Sequence, residues 1–133
     1  MAINATVYYD KDADISNLEG KTIGVVGYGS QGHAHSLNLT DSGCNVIVGL
    51  YNGSKSWAKA EQAGLRVAEV ANVAKEADII MMTIPDERQG GVFADHIAPN
   101  LTAGQTLMFA HGFNIHYKEV VPPPFVDVSM IAP

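Results

Sequence analysis

Apolar residues in this chain fall into six short runs, separated by amphipathic stretches and by turns rich in glycine. The runs are 23–26 (IGVV), 45–50 (NVIVGL), 65–67 (LRV), 78–83 (DIIMMT), 105–110 (QTLMFA) and 126–131 (VDVSMI). Runs such as 78–83 carry no polar alternation, which predicts strands of a parallel sheet covered on both faces. The stretches between them carry helix signals. Residues 31–39 read as a helix that closes near Asp41-Ser42-Gly43, with glycine as the stop. Ser56 is placed to cap a helix that runs to about Ala63 before Gly64. Val70, Val73, Ala74 and Ala77 share one face of a helix predicted over 69–77. A further helix is predicted over 89–97, ended by Pro99-Asn100. Pro122-Pro123-Pro124 forbids regular structure and predicts an extended connection before the last strand.

Strand and helix therefore alternate along one domain, 1–133. The expected fold is α/β, a Rossmann-like doubly wound, mainly parallel sheet with right-handed crossovers. The first strand ends in Gly27-Tyr28-Gly29-Ser30-Gln31-Gly32 and a helix follows, the order that a dinucleotide-binding site requires. Gly27 permits the tight turn, Gly29 lets backbone approach a pyrophosphate, and Gly32 lets helix and strand pack closely. The free N–H groups at the helix start then face the phosphates.

Composition narrows the partners. The 133 residues are 47% hydrophobic and 17% charged, enough for one buried core. A formal net charge of −6 argues against nucleic acid or a membrane surface as partner. Cys44 is the only cysteine and leads into an apolar strand, so a buried thiol is expected and no disulfide within the chain can form. No signal peptide is visible, and no apolar run approaches the ~20 residues that span a bilayer. A reducing, cytoplasmic setting is expected.

Metal signals are weak. Asp10, Asp12 and Asp14 alternate like the start of a calcium loop, but Ile15 stands where the glycine is needed and Lys21 where the last acid is needed. A solvated acidic turn, with Ile15 and Leu18 packing beneath it, is the expectation. His33 and His35 are two apart on a helix and cannot face one ion. No metal ligand is assigned.

The choice of dinucleotide turns on the second strand. There an acid about 20 residues past the glycines binds the ribose hydroxyls of NAD. Residues 42–60 contain no Asp or Glu, and offer Ser54, Lys55 and Ser56 instead. Two hydroxyls and a cation suit a 2′-phosphate, so NADP is favoured. The alternative is that Ser54 and Ser56 only shape a turn and cap a helix. The segment 83–89 (TIPDERQ) follows the fourth strand and is expected to border the cofactor crevice. His111 follows the fifth strand, where a histidine can relay a proton or bind a substrate oxygen, or be merely structural.

Five blocks in order, GYGSQGHAH at 27–35, GLYNGSKSWAKAE at 49–61, IPDERQ at 84–89, AHGFNIHY at 110–117 and VDVSMIAP at 126–133, resemble ketol-acid reductoisomerase. That family, the acetohydroxyacid isomeroreductases of branched-chain amino-acid (valine and isoleucine) biosynthesis, rearranges 2-acetolactate or 2-aceto-2-hydroxybutyrate by alkyl migration. It then reduces the product with NADPH, giving 2,3-dihydroxyisovalerate from 2-acetolactate, using Mg²⁺. The resemblance implies a pyrophosphate loop over Tyr28, Gly29, Ser30 and Gln31 and 2′-phosphate contacts at Ser54 and Ser56. It implies further cofactor contacts at Asp86, Glu87, Arg88 and Gln89, and a catalytic role for His111.

Tyr51 departs from the family, whose NADP-dependent members usually carry arginine there. Tyr51 can stack on adenine but adds no charge. The family also continues beyond Pro133 into a helical domain that supplies the Mg²⁺ carboxylates and much of the substrate pocket. Without it, cofactor binding but no turnover is expected of this chain. Two other readings fit the residues: the cofactor half of another NADP-dependent dehydrogenase, and a non-catalytic NADP-binding module.

Overall fold

The computed structural model describes residues 5–132. Six strands form one sheet: β1 (Thr22–Val26), β2 (Asn45–Leu50), β3 (Arg66–Glu69), β4 (Ile79–Met82), β5 (Thr106–Phe109) and β6 (Asp127–Met130). Their order across the sheet is β3-β2-β1-β4-β5-β6, and every neighbouring pair is parallel. The helices are α1 (Ser30–Asp41), α2 (Trp57–Gln62), α3 (Val70–Glu76), α4 (Asp86–Val92) and α5 (Phe113–His116). The chain runs outward from β1 to β3, then returns to β4 on β1's other side. That reversal makes a switch point where the strand ends splay, the standard ligand position in an open α/β sheet.

The central strands are buried because both faces are covered. Val26, Ile47, Ile80, Met82, Leu107 and Phe109 pack with Val73 and Ala74 of α3 and with Phe93 and Ile97 beyond α4. On the opposite face Ile23, Val25, Val46 and Met81 form a second cluster against Leu18 and Leu39. A third cluster joins Tyr28, Val48 and Leu50 to Ala60 and Leu65. Buried polar groups are used as ties. Gln105 donates from Nε2 to the carbonyls of Ala74 and Ala77, both at 2.7 Å, and accepts from the Thr102 amide at 2.6 Å. It thereby satisfies the carbonyl end of α3, which no later turn of helix can reach.

Several boundaries differ from the sequence reading. β3 extends to Glu69, because residues 66–69 find ladder partners on β2 from Ile47 to Leu50. α4 starts at Asp86 rather than Gln89. Pro85 precedes it in an extended conformation, and Asp86 and Glu87 occupy its first turn, where negative charge suits the helix dipole. After Val92 the coil widens over Phe93–Ile97 and tightens over Ala98–Asn100. The turn of helix α5 gave no sequence signal at all.

Ile15 is 59% exposed and does not pack beneath the acidic turn, whereas Leu18 does reach the core. That turn consists of two tight helical turns, Asp10–Asp12 and Ile15–Leu18. In the second, Asp14 accepts from the Ser16 amide, and hydrogen bonding first from the Ser16 side chain and then from its backbone holds the Asp14 carboxyl below the usual range. The Cys44 thiol is half-buried. Among the described residues no helix is long and apolar enough to cross a membrane.

Candidate cofactor site

A cleft of about 1110 Å³ opens at the carboxyl ends of the strands, on the switch point between β1 and β4. It is large enough for a ligand well above the size of a single nucleotide. Its floor is the glycine turn. The Gly27 amide donates to the Gly49 carbonyl at 3.0 Å, so the turn leaves β1 while still tied to β2. Gly27 has φ +108°, a conformation that L side chains rarely adopt, and a Cβ there would lie 2.9 Å from Ile84. Gly32 has the ordinary helical backbone, but a Cβ on it would sit 2.7 Å from the Gly27 carbonyl carbon and 2.8 Å from the Thr83 hydroxyl. Only a bare Cα lets α1 approach β1 this closely.

Thr83 locks the same corner, donating its hydroxyl to the Val26 carbonyl at 2.8 Å. Gly29 is different: a Cβ on it would meet nothing within 4 Å of protein. Gly29 lines the cleft, with the exposed Ser30 and Gln31 next to it at the start of α1. An anion seated there meets free backbone N–H groups and the positive end of a 12-residue helix.

The structure gathers most of the expected residues on this one cleft. Gly27, Tyr28, Gly29, Ser30, Gln31, Tyr51, Ser54, Lys55, Ser56, Asp86, Arg88, Gln89 and His111 all line it. Two do not. Gly32 lies behind the turn, where its packing role puts it. Glu87 lies on the outer side of α4, beside Gly90, Asn114 and Glu119. Glu69, Val70, His96 and Ala132 line the cleft although the sequence reading did not place them there.

Tyr28 is 7% exposed and its ring belongs to the core. Burial pushes its phenol pKa up, and the hydroxyl is buried without a hydrogen-bond partner among the described residues. At the far end, Tyr51 is 65% exposed and closes a turn in which its carbonyl accepts from the Ser54 amide at 3.1 Å. Ser54 accepts from the Ser56 amide at 3.2 Å. Ser56 precedes α2 but makes no side-chain cap, contrary to the sequence expectation. The Ser56 amide is already held by Ser54, and Ser56 has helical rather than extended backbone angles. Its hydroxyl is not committed to the helix.

His111 stands across the cleft with its side chain 69% exposed. The Phe113 amide donates to Nδ1 at 3.1 Å, so the neutral ring carries its proton on Nε2. Asp86 Oδ2 is 3.8 Å from the same nitrogen, too far for a hydrogen bond. Behind this edge, Gln89 donates to the Ile84 carbonyl at 2.9 Å and accepts from Asn114 at 3.0 Å.

Residues 17–133 match the family described as acetohydroxy acid isomeroreductase, NADPH-binding domain. The chain belongs to that family. A solved structure described as an NADH-preferring ketol-acid reductoisomerase from an uncultured archean superposes with a TM-score of 0.91 at 43% identity. It covers 97% of this chain, which in turn spans 40% of that one. More distant structures share the fold alone. They include a semialdehyde dehydrogenase NAD-binding protein from Cupriavidus necator (TM-score 0.73, 20% identity, 85% of this chain and 41% of that one). A putative oxidoreductase from Jannaschia sp. is similar (TM-score 0.74, 17% identity, the same shares of each chain). The α/β, Rossmann-like reading of the sequence agrees with all of them.

Proposed function

We propose that this chain holds NADP(H) for a ketol-acid reductoisomerase. The observation that carries the reading is the single cleft joining the open space at Gly29, the Ser54-Lys55-Ser56 turn and His111. The residues fit the cofactor. Ser30 and Gln31 would hold the pyrophosphate through the start of α1, and Ser54, Lys55 and Ser56 would hold the 2′-phosphate. Tyr51 would lie against the adenine. When bound, NADPH supplies a hydride to the carbonyl carbon of the substrate. His111 would hold a substrate oxygen through its Nε2 proton.

In the whole enzyme we propose conversion of 2-acetolactate to 2,3-dihydroxyisovalerate, with the substrate held partly by the family's helical domain. Exposed apolar side chains on and beyond α5 and β6 support a covering of that edge: Tyr117 is 62% exposed and Met130 59%. No three His, Cys, Asp or Glu side chains converge among the described residues. The Mg²⁺ expected of the whole enzyme therefore has no ligand set within them.

Calorimetric titration of the chain with NADPH and NADH tests the reading. Saturable binding of both, tighter for NADPH, is expected; binding of neither would refute it. Adding a separately expressed helical domain, Mg²⁺ and 2-acetolactate should then oxidise NADPH, which another dehydrogenase or a non-catalytic module would not do.

A further inference from the structure

We propose that Glu69 sets how far this chain favours NADPH over NADH, by placing a carboxylate beside the cofactor's 2′ position. The inference rests on the dinucleotide reading of the cleft. Glu69 is the last residue of β3, and its Cα pairs in register with Leu50, the last residue of β2. Paired parallel strands lie about 4.8 Å apart. Tyr51 follows Leu50 directly and opens the turn that carries Ser54, Lys55 and Ser56. All four line the same cleft as Glu69. A carboxylate therefore stands at the end of the third strand, beside a turn that carries none of its own.

Among the described residues no side chain or backbone group engages this carboxylate. Glu69 is exposed and stands at the start of α3, yet its side chain makes no cap for that helix. The ion pairs among the described residues are Arg66–Glu76 and His111–Asp86, so Glu69 has no cation partner there. Its charge is free to act on whatever occupies the cleft. Lys55 attracts a 2′-phosphate and Glu69 repels it, while a ribose hydroxyl feels little of either. Tyr51, which brings no charge to the same turn, leaves that balance uncorrected.

Affinities for both cofactors, measured on the full chain for the parent, Glu69→Gln and Glu69→Lys, test this. Glu69→Gln should tighten NADPH about fivefold at low salt and change NADH by less than about twofold. Glu69→Lys should tighten NADPH further, and both gains should shrink at ~0.5 M salt. An unchanged NADPH affinity, or equal changes for both cofactors, overturns the role of Glu69 and leaves the cofactor reading standing. A parent chain that binds neither cofactor overturns the cofactor reading and this inference with it.

Discussion

Asn114 donates its side-chain amide to the side-chain oxygen of Gln89 at 3.0 Å, with both residues buried. The bond ties α5, which follows His111, to α4, whose first turn lines the cofactor cleft. Through Gln89 the tie reaches the Ile84 carbonyl. Two loops far apart in sequence are thus held as one wall. Asn114→Ala leaves the Gln89 oxygen unpaired in a buried site. It is expected to cost about 2 kcal/mol or more in chemical denaturation. A loss below about 0.5 kcal/mol would show that the tie contributes little.

Gly29 and Gly32 should separate binding from folding. Gly32→Ala forces a methyl group against the Gly27 carbonyl and Thr83, and is expected to destabilise the chain by about 2 kcal/mol or more. Gly29→Ala meets no protein atom and has φ −75°, so its stability should change by less than about 1 kcal/mol. Its methyl group instead occupies space proposed for the pyrophosphate, and cofactor affinity should fall about tenfold or more. Denaturation and titration of both variants give the comparison. Equal effects of the two on stability would contradict it.

Tyr51→Arg adds a guanidinium beside Ser54, Lys55 and Ser56, where it can pair with a 2′-phosphate. NADPH should bind about tenfold tighter and NADH much less so, since charge-assisted bonds contribute about 1.5–3 kcal/mol before competing costs. Parallel gains for both cofactors would place Tyr51 away from the 2′-phosphate.

Gln105→Leu keeps the volume but removes the bonds to Ala74, Ala77 and Thr102. Two buried carbonyls and one amide then lose a partner, and a loss of about 3 kcal/mol is expected. Thermal or urea unfolding that matches the parent would mean that water replaces the side chain.

How much was legible depended on the range of the interactions. β2 runs over Asn45–Leu50 as the apolar pattern indicates, and the glycine turn sits where its spacing puts it. These are local properties of backbone sterics and of strands covered on both faces. The helix expected over 89–97 starts earlier, at Asp86, because Pro85 and the acidic first turn fix its beginning. α5 is too short to show a period. Ser56 read as a cap from residue type, but the bond between its amide and Ser54 sets a different backbone.

The sequence by itself determined the order of elements, the dinucleotide turn and the chemistry offered at Ser54, Lys55, Ser56 and His111. Each rests on neighbours within a few residues. Only the tertiary structure decided that Glu69 stands beside the Tyr51 turn, and that Asn114 joins Gln89. The first depends on strand order, which lays β3 against β2. The second depends on the packing of α5 onto α4. Neither spacing follows a helical or strand period, because both are set by how the chain crosses the sheet.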